Sequence, residues 1–146
     1  MSLLRAFVAI EFPAPVCDAI EKQTARLRRT LGSDFIRWIS TQNMHLTLKF
    51  LGDTADSHLD FLRQLLVREA SAHPQFDLQL GGLGTFPSRH TPRLLWIGIH
   101  APPELSSLQR SVELGASRLG YKPEDRAFSP HLTLGRVRQT ATLSEL

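Results

Sequence analysis

Alternating apolar and polar positions divide the chain into short strands and amphipathic helices. Alternation and short apolar runs predict strands over residues 4–11, 36–39, 44–51, 76–81, 93–100 and 130–137. Apolar positions at helical spacing predict helices over residues 16–31, 58–72 and 104–119. Prolines open the first and third helices, and Gly32 and Gly120 are expected to end them. The predicted order, which counts a further strand after the third helix, is β-α-β-β-α-β-β-α-β-β.

The tetrapeptide His-Leu-Thr-Leu occurs twice, at residues 45–48 and 131–134. Because alternate side chains of a strand share a face, the histidine and threonine of each copy point one way and the two leucines point the other. The segments Ile36-Arg37-Trp38 and Arg126-Ala127-Phe128 precede the two copies. We interpret this repeat as two similar βαββ lobes within one domain spanning residues 1–146. If the two strands face each other across a groove, they present two imidazoles to one substrate.

Two histidines that face one substrate can form an acid–base pair. An imidazole titrates near neutrality, so His45 and His131 could share the roles of proton donor and proton acceptor. The hydroxyls of Thr47 and Thr133 lie two residues further along each strand and can donate hydrogen bonds to phosphate oxygens. Arg136 follows His131 by five positions, so on a regular strand it points to the opposite face. It reaches the groove only if a bulge at Gly135 or a bend changes the alternation.

Other catalytic chemistries find little support. Neither histidine word has a carboxylate or a second histidine at metal-ligand spacing, so metal-dependent hydrolysis is disfavoured. A phosphate-binding loop of the Walker type is absent from the sequence, which gives no support for a nucleoside triphosphate substrate. Lys49 superficially resembles the lysine of ATP-dependent ligases, but it lies in a predicted strand and lacks the accompanying aspartate.

Composition adds modest constraints. The length of 146 residues suits one domain, and the single Cys17 excludes an intramolecular disulfide. The net charge is +3, and 14 of the 17 basic residues are arginines, which suits an anionic partner. No apolar run approaches the length of a transmembrane helix, and the first residues read as a strand rather than a signal sequence. We therefore expect a cytoplasmic protein with no membrane partner.

Several of these residues together resemble a known family. The matching segments are Phe7-Val8-Ala9-Ile10-Glu11, Arg37-Trp38, the two histidine words and Gly135-Arg136. They resemble the two-histidine (2H) phosphoesterases, in particular the RNA 2′,3′-cyclic phosphodiesterase branch, also called the 2′-5′ RNA ligase family. The resemblance spans residues 5–138, and the two words are 86 residues apart (131 − 45).

This resemblance implies a fold, a reaction and a set of roles. The fold would be the bilobal α+β LigT-like fold, with two antiparallel sheets that form a V-shaped groove and helices packed outside. The reaction would be hydrolysis of RNA ends or nucleoside 2′,3′-cyclic phosphates to 2′-phosphates, with no metal and no cofactor. His45 would protonate the departing 3′-oxygen and His131 would activate water, while Thr47, Thr133 and Arg136 would bind the phosphate.

Two aromatic residues are candidates for nucleoside binding. The resemblance makes Phe7 an aromatic that lines the nucleoside site, and Trp96 is a second stacking candidate. A place in the core is the alternative for each of them. The histidines outside the two words, including His90 in a basic loop, are not assigned to catalysis.

The sequence leaves three functions open. The chain could hydrolyse cyclic phosphates, could join RNA through 2′-5′ linkages by the reverse reaction, or could be an RNA- or nucleotide-binding module with vestigial catalysis. Members of the family usually continue beyond the tail at residues 140–146 with another strand. The sheet edge left without that strand could be covered by a partner chain. The physiological RNA, its base preference and the oligomeric state stay open.

Overall fold

The computed structural model describes residues 2–32, 34–86 and 93–138. Its helices are α1 (Ala14–Leu31), α2 (Leu59–Ala72) and α3 (Pro103–Arg118). Its strands are β1 (Leu3–Glu11), β2 (Ile36–Trp38), β3 (His45–Ala55), β4 (Gln79–Phe86), β5 (Leu94–His100) and β6 (His131–Val137). The predicted α+β class, with two antiparallel sheets and three helices, is confirmed. The predicted loop histidine His90 and the tail at residues 140–146 lie outside the described residues.

The predicted helix ends are confirmed at both glycines. Gly32 adopts a left-handed φ of 74°, and its N–H donates to the Arg28 carbonyl at 2.8 Å. Gly120 has a φ of 99°, and its N–H donates to the Ser117 carbonyl at 3.0 Å. These bonds satisfy carbonyl groups that the last turn of a helix leaves without intrahelical partners.

The chain divides into two compact units. The first unit comprises the first ten residues together with Thr47–Gln79 and His100–Ser129. It holds the two-stranded sheet of β1 and β3, and the helices α2 and α3. Leu65 of α2 contacts Gly115 of α3 so closely that a Cβ atom on the glycine would lie 2.3 Å from Leu65 Cδ1. Its buried apolar side chains are Val8, Leu48, Leu62, Leu65, Leu105, Val112 and Ala116.

The second unit comprises Glu11–Leu46, Leu80–Ile99 and the residues from Pro130 onward. It holds α1 and the four-stranded sheet, whose strand order is β2-β6-β5-β4. The indole Nε1 of Trp38 donates to the Gly32 carbonyl at 3.1 Å, and the Arg28 guanidinium lies 5.7 Å from the Trp38 ring centroid. These contacts place α1 on the sheet face to which Trp38 belongs. The buried apolar side chains are Ile20, Ile36, Met44, Leu46, Leu95, Ile99, Leu132 and Leu134.

Three strand predictions differ from the structure. The strand predicted over residues 76–81 instead runs from Gln79 to Phe86, because its glycines lie in the ladder beside β5 rather than in a bend. Gly52 does not end β3, which continues to Ala55 although Gly52 has a φ of 73°. The repeat segment Arg126-Ala127-Phe128 is irregular, whereas its counterpart at residues 36–38 is strand β2. Among the described residues β6 is the one strand that follows α3, so the further strand predicted at residues 126–128 is wrong.

Candidate active site

The second histidine word forms most of β6. His131 pairs with Gly98 of β5, and Thr133 pairs with Trp96. Since directly paired residues of an antiparallel ladder point to the same side, His131 and Thr133 share one sheet face with Trp96. Leu132 and Leu134 are buried on the other face, while His131 is exposed and Thr133 is half-buried. The predicted division of the word into a polar face and a buried face is confirmed for this copy.

A one-residue bulge in β6 decides the direction of Arg136. The ladder steps from Trp96↔Thr133 to Leu95↔Gly135, so Leu134 is an extra residue on β6 that no residue of β5 opposes. Arg136 then pairs with Leu94 of β5. Leu94, Trp96 and Gly98 alternate along β5 and therefore share a face. Arg136 consequently lies on the same open face as Thr133 and His131. A regular strand would have turned it to the opposite face, so the bulge meets the condition stated for Arg136 in the sequence.

Gly135 allows the close approach that this bulge requires. The residue is buried and pairs with Trp38 of β2 on one side and Leu95 of β5 on the other. A Cβ atom at this position would lie 2.6 Å from Ile36 Cγ2 and 3.1 Å from the Arg37 carbonyl oxygen. A side chain on residue 135 would therefore push β2 away from β6.

Trp96 lies on the open face rather than in the core. Its ring centroid is 6.2 Å from that of His131, with the two planes tilted by 53°. A Cβ atom on Gly84 of β4 would lie 2.1 Å from Trp96 Cζ2, so the indole rests directly over that glycine. Gly98 is its neighbour on the other side, 3.6 Å from Trp96 Cζ3 by the same measure. The two glycines leave room for a flat aromatic surface beside His131.

The first histidine word begins β3. His45 and Thr47 are half-buried, and Leu46 and Leu48 are buried, so the predicted alternation is confirmed for this copy as well. His45 groups with the second unit, as does His131, whereas Thr47 groups with the first unit. β3 has β1 as its sheet neighbour.

Lys49, the residue that follows this word in β3, has a buried side chain. Its ammonium donates to Glu113 Oε1 at 2.8 Å and to the Lys122 carbonyl at 2.7 Å, and its side chain is 3% exposed. Glu113 Oε1 also accepts the backbone N–H of Glu124 at 2.8 Å. This ion pair joins β3, α3 and the segment that follows α3. A lysine held in this way cannot serve as the exposed nucleophile of an adenylation reaction, in agreement with the sequence analysis.

Phe7 lies on the surface of the first unit, not in its core. Phe7 is 46% exposed and Phe50 is 69% exposed, and the centroids of their rings are 6.2 Å apart. Val8 is buried, so the odd-numbered residues of β1, including Phe7, occupy the face away from the core. Phe7 belongs to the first unit and Trp96 to the second.

Sequence reasoning assigned no role to Phe50 or Arg37, two exposed residues close to the candidate site residues in the chain or in the sheet. Phe50 is the sixth residue of the segment that starts at His45, as Arg136 is the sixth of the segment that starts at His131. Arg37 pairs directly with Arg136 across β2 and β6. Aligning the two words beyond their fourth residue would have indicated Phe50, whereas Arg37 required the strand register.

The described residues show neither a metal-ligand cluster nor a membrane span. No group of three or more His, Cys, Asp or Glu side chains within residues 2–32, 34–86 and 93–138 is arranged to hold a metal ion. Each helix of this part of the chain is too short or too polar to cross a membrane.

The family model for the 2′-5′ RNA ligase superfamily matches residues 15–146 of this chain. The chain belongs to this superfamily. An RNA 2′,3′-cyclic phosphodiesterase of Methanothermobacter thermautotrophicus is 31% identical over 137 residues, covering 92% of this chain and 72% of the relative. Another, from Archaeoglobus fulgidus, is 34% identical over 137 residues, covering 93% and 74%. The resemblance to the 2′-5′ RNA ligase family that the sequence indicated is therefore confirmed.

Solved structures of this superfamily share the fold. TT0787 of Thermus thermophilus aligns with a TM-score of 0.78 at 26% identity, covering 94% of this chain and 76% of that chain. E. coli LigT complexed with 3′-AMP aligns with a TM-score of 0.77 at 27% identity, covering 97% and 78%. The LigT-like fold implied by the family resemblance is therefore confirmed.

Proposed function

We propose that this member of the superfamily is a metal-independent RNA 2′,3′-cyclic phosphodiesterase that produces 2′-phosphates. The observation that carries the proposal is the bulge in β6, which brings Arg136 to the open face that holds His131 and Thr133. The names of the relatives at 31% and 34% identity support the reaction. The structure of LigT with 3′-AMP supports a nucleotide as the substrate. Substrates of this class suit a cytoplasmic enzyme.

The proposed reaction needs two proton transfers and no other reactant than water. The imidazole of His131 accepts a proton as water attacks phosphorus, and a new P–O bond forms. The bond between phosphorus and the 3′-oxygen breaks, and the imidazolium of His45 donates its proton to that oxygen. The product carries a 2′-phosphate and a 3′-hydroxyl. Solvent then restores the starting protonation state of both rings.

The remaining polar residues stabilise charge at phosphorus. Thr47 and Thr133 each lie two residues from a catalytic histidine on the same strand face, so their hydroxyls donate to non-bridging phosphate oxygens. The guanidinium of Arg136 adds a charge-assisted contact, which is stronger than a neutral hydrogen bond. Negative charge that grows on these oxygens in the transition state strengthens all three contacts.

The aromatic residues suit the nucleoside. Trp96 offers a half-exposed indole 6.2 Å from the ring of His131, so a base or ribose that stacks on it stays beside the reacting phosphate. Phe7 is exposed next to Phe50 and is the second candidate contact. In this proposal the two histidine words act as the halves of one domain.

The same two proton transfers join RNA when a 5′-hydroxyl takes the place of water: His131 accepts the proton of that hydroxyl and His45 protonates the departing 3′-oxygen. The 5′-oxygen then forms the new bond to phosphorus and a 2′-5′ linkage results, as the name of the superfamily suggests. We include this reversible joining in the proposal, with a 5′-hydroxyl RNA added to the hydrolysis assay as its test.

The proposed reaction is tested with a nucleoside 2′,3′-cyclic phosphate in the presence of EDTA. We expect complete conversion to the 2′-phosphate, identified by chromatography against both isomers. His45→Ala and His131→Ala should each reduce turnover by about 10²–10⁴-fold, since each removes one acid or base group. His58→Ala is the matched control, because this exposed histidine outside both words should leave the rate unchanged.

Three results would contradict the proposal in different ways. Loss of activity in EDTA that added metal restores would exclude the metal-independent mechanism. A 3′-phosphate product would reverse the assignment of the leaving oxygen. No turnover, together with nucleotide binding that survives His45→Ala and His131→Ala, would favour the binding module with vestigial catalysis.

A further inference from the structure

Arg37 and Arg136 form a cross-strand pair on the open face of the four-stranded sheet. The register pairs Arg37 of β2 directly with Arg136 of β6, and both side chains are exposed. Because paired residues share a face, Arg37 lies on the face of Thr133 and His131, away from α1.

This pair of like charges lacks a carboxylate partner in the described part of the chain. The ion pairs found there are Arg28–Glu21, Lys49–Glu113, Arg63–Asp60 and Arg68–Glu69. Like charges directly opposite each other destabilise a sheet. An anion that binds both guanidinium groups removes that repulsion, and arginine is the side chain best shaped to bind phosphate oxygens.

Arg37 lies far from His131 on the sheet, and therefore far from the reacting phosphate. His131 and Arg136 pair with Gly98 and Leu94, which are four residues apart on β5, or roughly 13 Å at about 3.3 Å per residue. Arg37 lies one strand further out, about 4.8 Å beyond Arg136. Arg136 can extend back towards Thr133, whereas Arg37 is placed for a group beyond the reacting phosphate.

We propose that Arg37, beside Arg136, binds the backbone phosphodiester that precedes the terminal cyclic phosphate of an RNA strand. This inference rests on the proposed function, since the cyclic phosphate at His131 fixes where the next phosphate lies. The contact between Arg37 and this phosphodiester makes the protein selective for RNA ends over cyclic mononucleotides, which have no second phosphate. Arg37 is thus a specificity residue that does not touch the reacting atoms.

The test compares two substrates and two variants. The substrates are a nucleoside 2′,3′-cyclic phosphate and a trinucleotide that ends in a 2′,3′-cyclic phosphate. Arg37→Gln should raise KM for the trinucleotide about tenfold, the effect of losing one charged hydrogen-bond contact, with kcat unchanged. It should leave both constants for the mononucleotide unchanged. Arg26→Gln is the control, because this exposed arginine of α1 loses the same charge on the other side of the sheet.

Salt dependence gives a second measurement. The slope of log KM for the trinucleotide against log salt concentration should fall by about 0.7 in Arg37→Gln, the value for one lost phosphate contact to a single strand. Equal effects on both substrates, or no effect on either, would overturn the proposal. If Arg26→Gln had an effect on KM as large as that of Arg37→Gln, the contribution of Arg37 would be general charge attraction and not a specific phosphate contact, which would also overturn the proposal.

A binding assay separates this inference from the proposed function. If the wild-type protein hydrolyses neither substrate, the proposed function fails, and fluorescence anisotropy with a labelled single-stranded RNA still measures the Arg37 contact. Binding weakened about tenfold by Arg37→Gln, but not by Arg26→Gln, would support the arginine site. Equal binding by all three proteins, or equal competition by a poly-glutamate peptide, would overturn it.

Discussion

The two histidine words share four residues and differ in what surrounds them. The copy in β6 pairs with β5, and the residues that follow it, from Gly135 to Val137, also pair with β2 on the other side. The copy in β3 has β1 as its neighbour in a two-stranded sheet. The same word is therefore presented by two different scaffolds. The four shared residues define the polar face, and the neighbouring strands define how firmly that face is held.

The comparison continues into the two residues that follow each word. Lys49 and Gly135 are both buried at the fifth position, and Phe50 and Arg136 are both exposed at the sixth. In β6 this change of alternation coincides with the bulge. The burial pattern of β3 matches that of β6 at both positions. The exposed sixth residue is an aromatic ring in one copy and a guanidinium in the other.

The largest expected effect concerns whether the two histidines have different catalytic roles. With a cyclic phosphate, His45→Ala and His131→Ala should each lose about 10²–10⁴-fold in rate. With an aryl phosphodiester, whose phenolate leaves without a proton, His45→Ala should recover most of its activity and His131→Ala should not. Steady-state rates on both substrates measure the difference. Equal losses on the aryl substrate would contradict the assignment of His45 as the proton donor.

The next effect concerns the fifth position in β3. Lys49→Met should lower the free energy of unfolding by about 3–5 kcal/mol, because it leaves the carboxylate of Glu113 buried without its cation. The double variant Lys49→Met/Glu113→Leu should recover much of that loss. Urea denaturation measures both, with Lys22→Met on the surface of α1 as the control. A double variant less stable than Lys49→Met would contradict this account of the pair.

The smallest of the three effects concerns the fifth position in β6. Gly135→Ala should cost about 1–3 kcal/mol of stability, because its Cβ would lie 2.6 Å from Ile36 Cγ2 and would separate β2 from β6. Gly81→Ala is the control, since a Cβ atom there has no neighbour within 4 Å and the residue has no positive φ. Thermal and urea unfolding measure the difference between the two. Equal stability of both variants would contradict a packing role for Gly135.

Local sequence signals predicted the helices and the faces of the histidine words well. The helix ends agree to within two residues, because proline, glycine and apolar spacing act within a few residues of each boundary. The alternation of His45, Leu46 and Thr47 fixes which side chains share a face, whatever the neighbouring strand is.

The features that the sequence did not predict depend on distant neighbours. The predicted strand ends at Gly81, but Gly81 and Gly84 both belong to β4, where the indole of Trp96 occupies the space above Gly84. The bulge beside Gly135 was foreseen only as a condition for Arg136, since ladder register depends on β5. Arg37 belonged to the segments that resemble the family, but it received no role, because its partner across the ladder is 99 residues away (136 − 37).

The bulge in β6 separates the spacing of residues along the chain from their spacing on the sheet. Thr133 and Arg136 are three positions apart in sequence, yet their partners Trp96 and Leu94 are only two apart on β5. The additional residue, Leu134, contributes a buried side chain, and its carbonyl accepts the N–H of Ile39 at 2.9 Å. A strand one residue shorter and without the bulge would present the same polar face. Insertion of a further residue would instead turn Arg136 to the opposite face unless the ladder absorbed that residue in a second bulge.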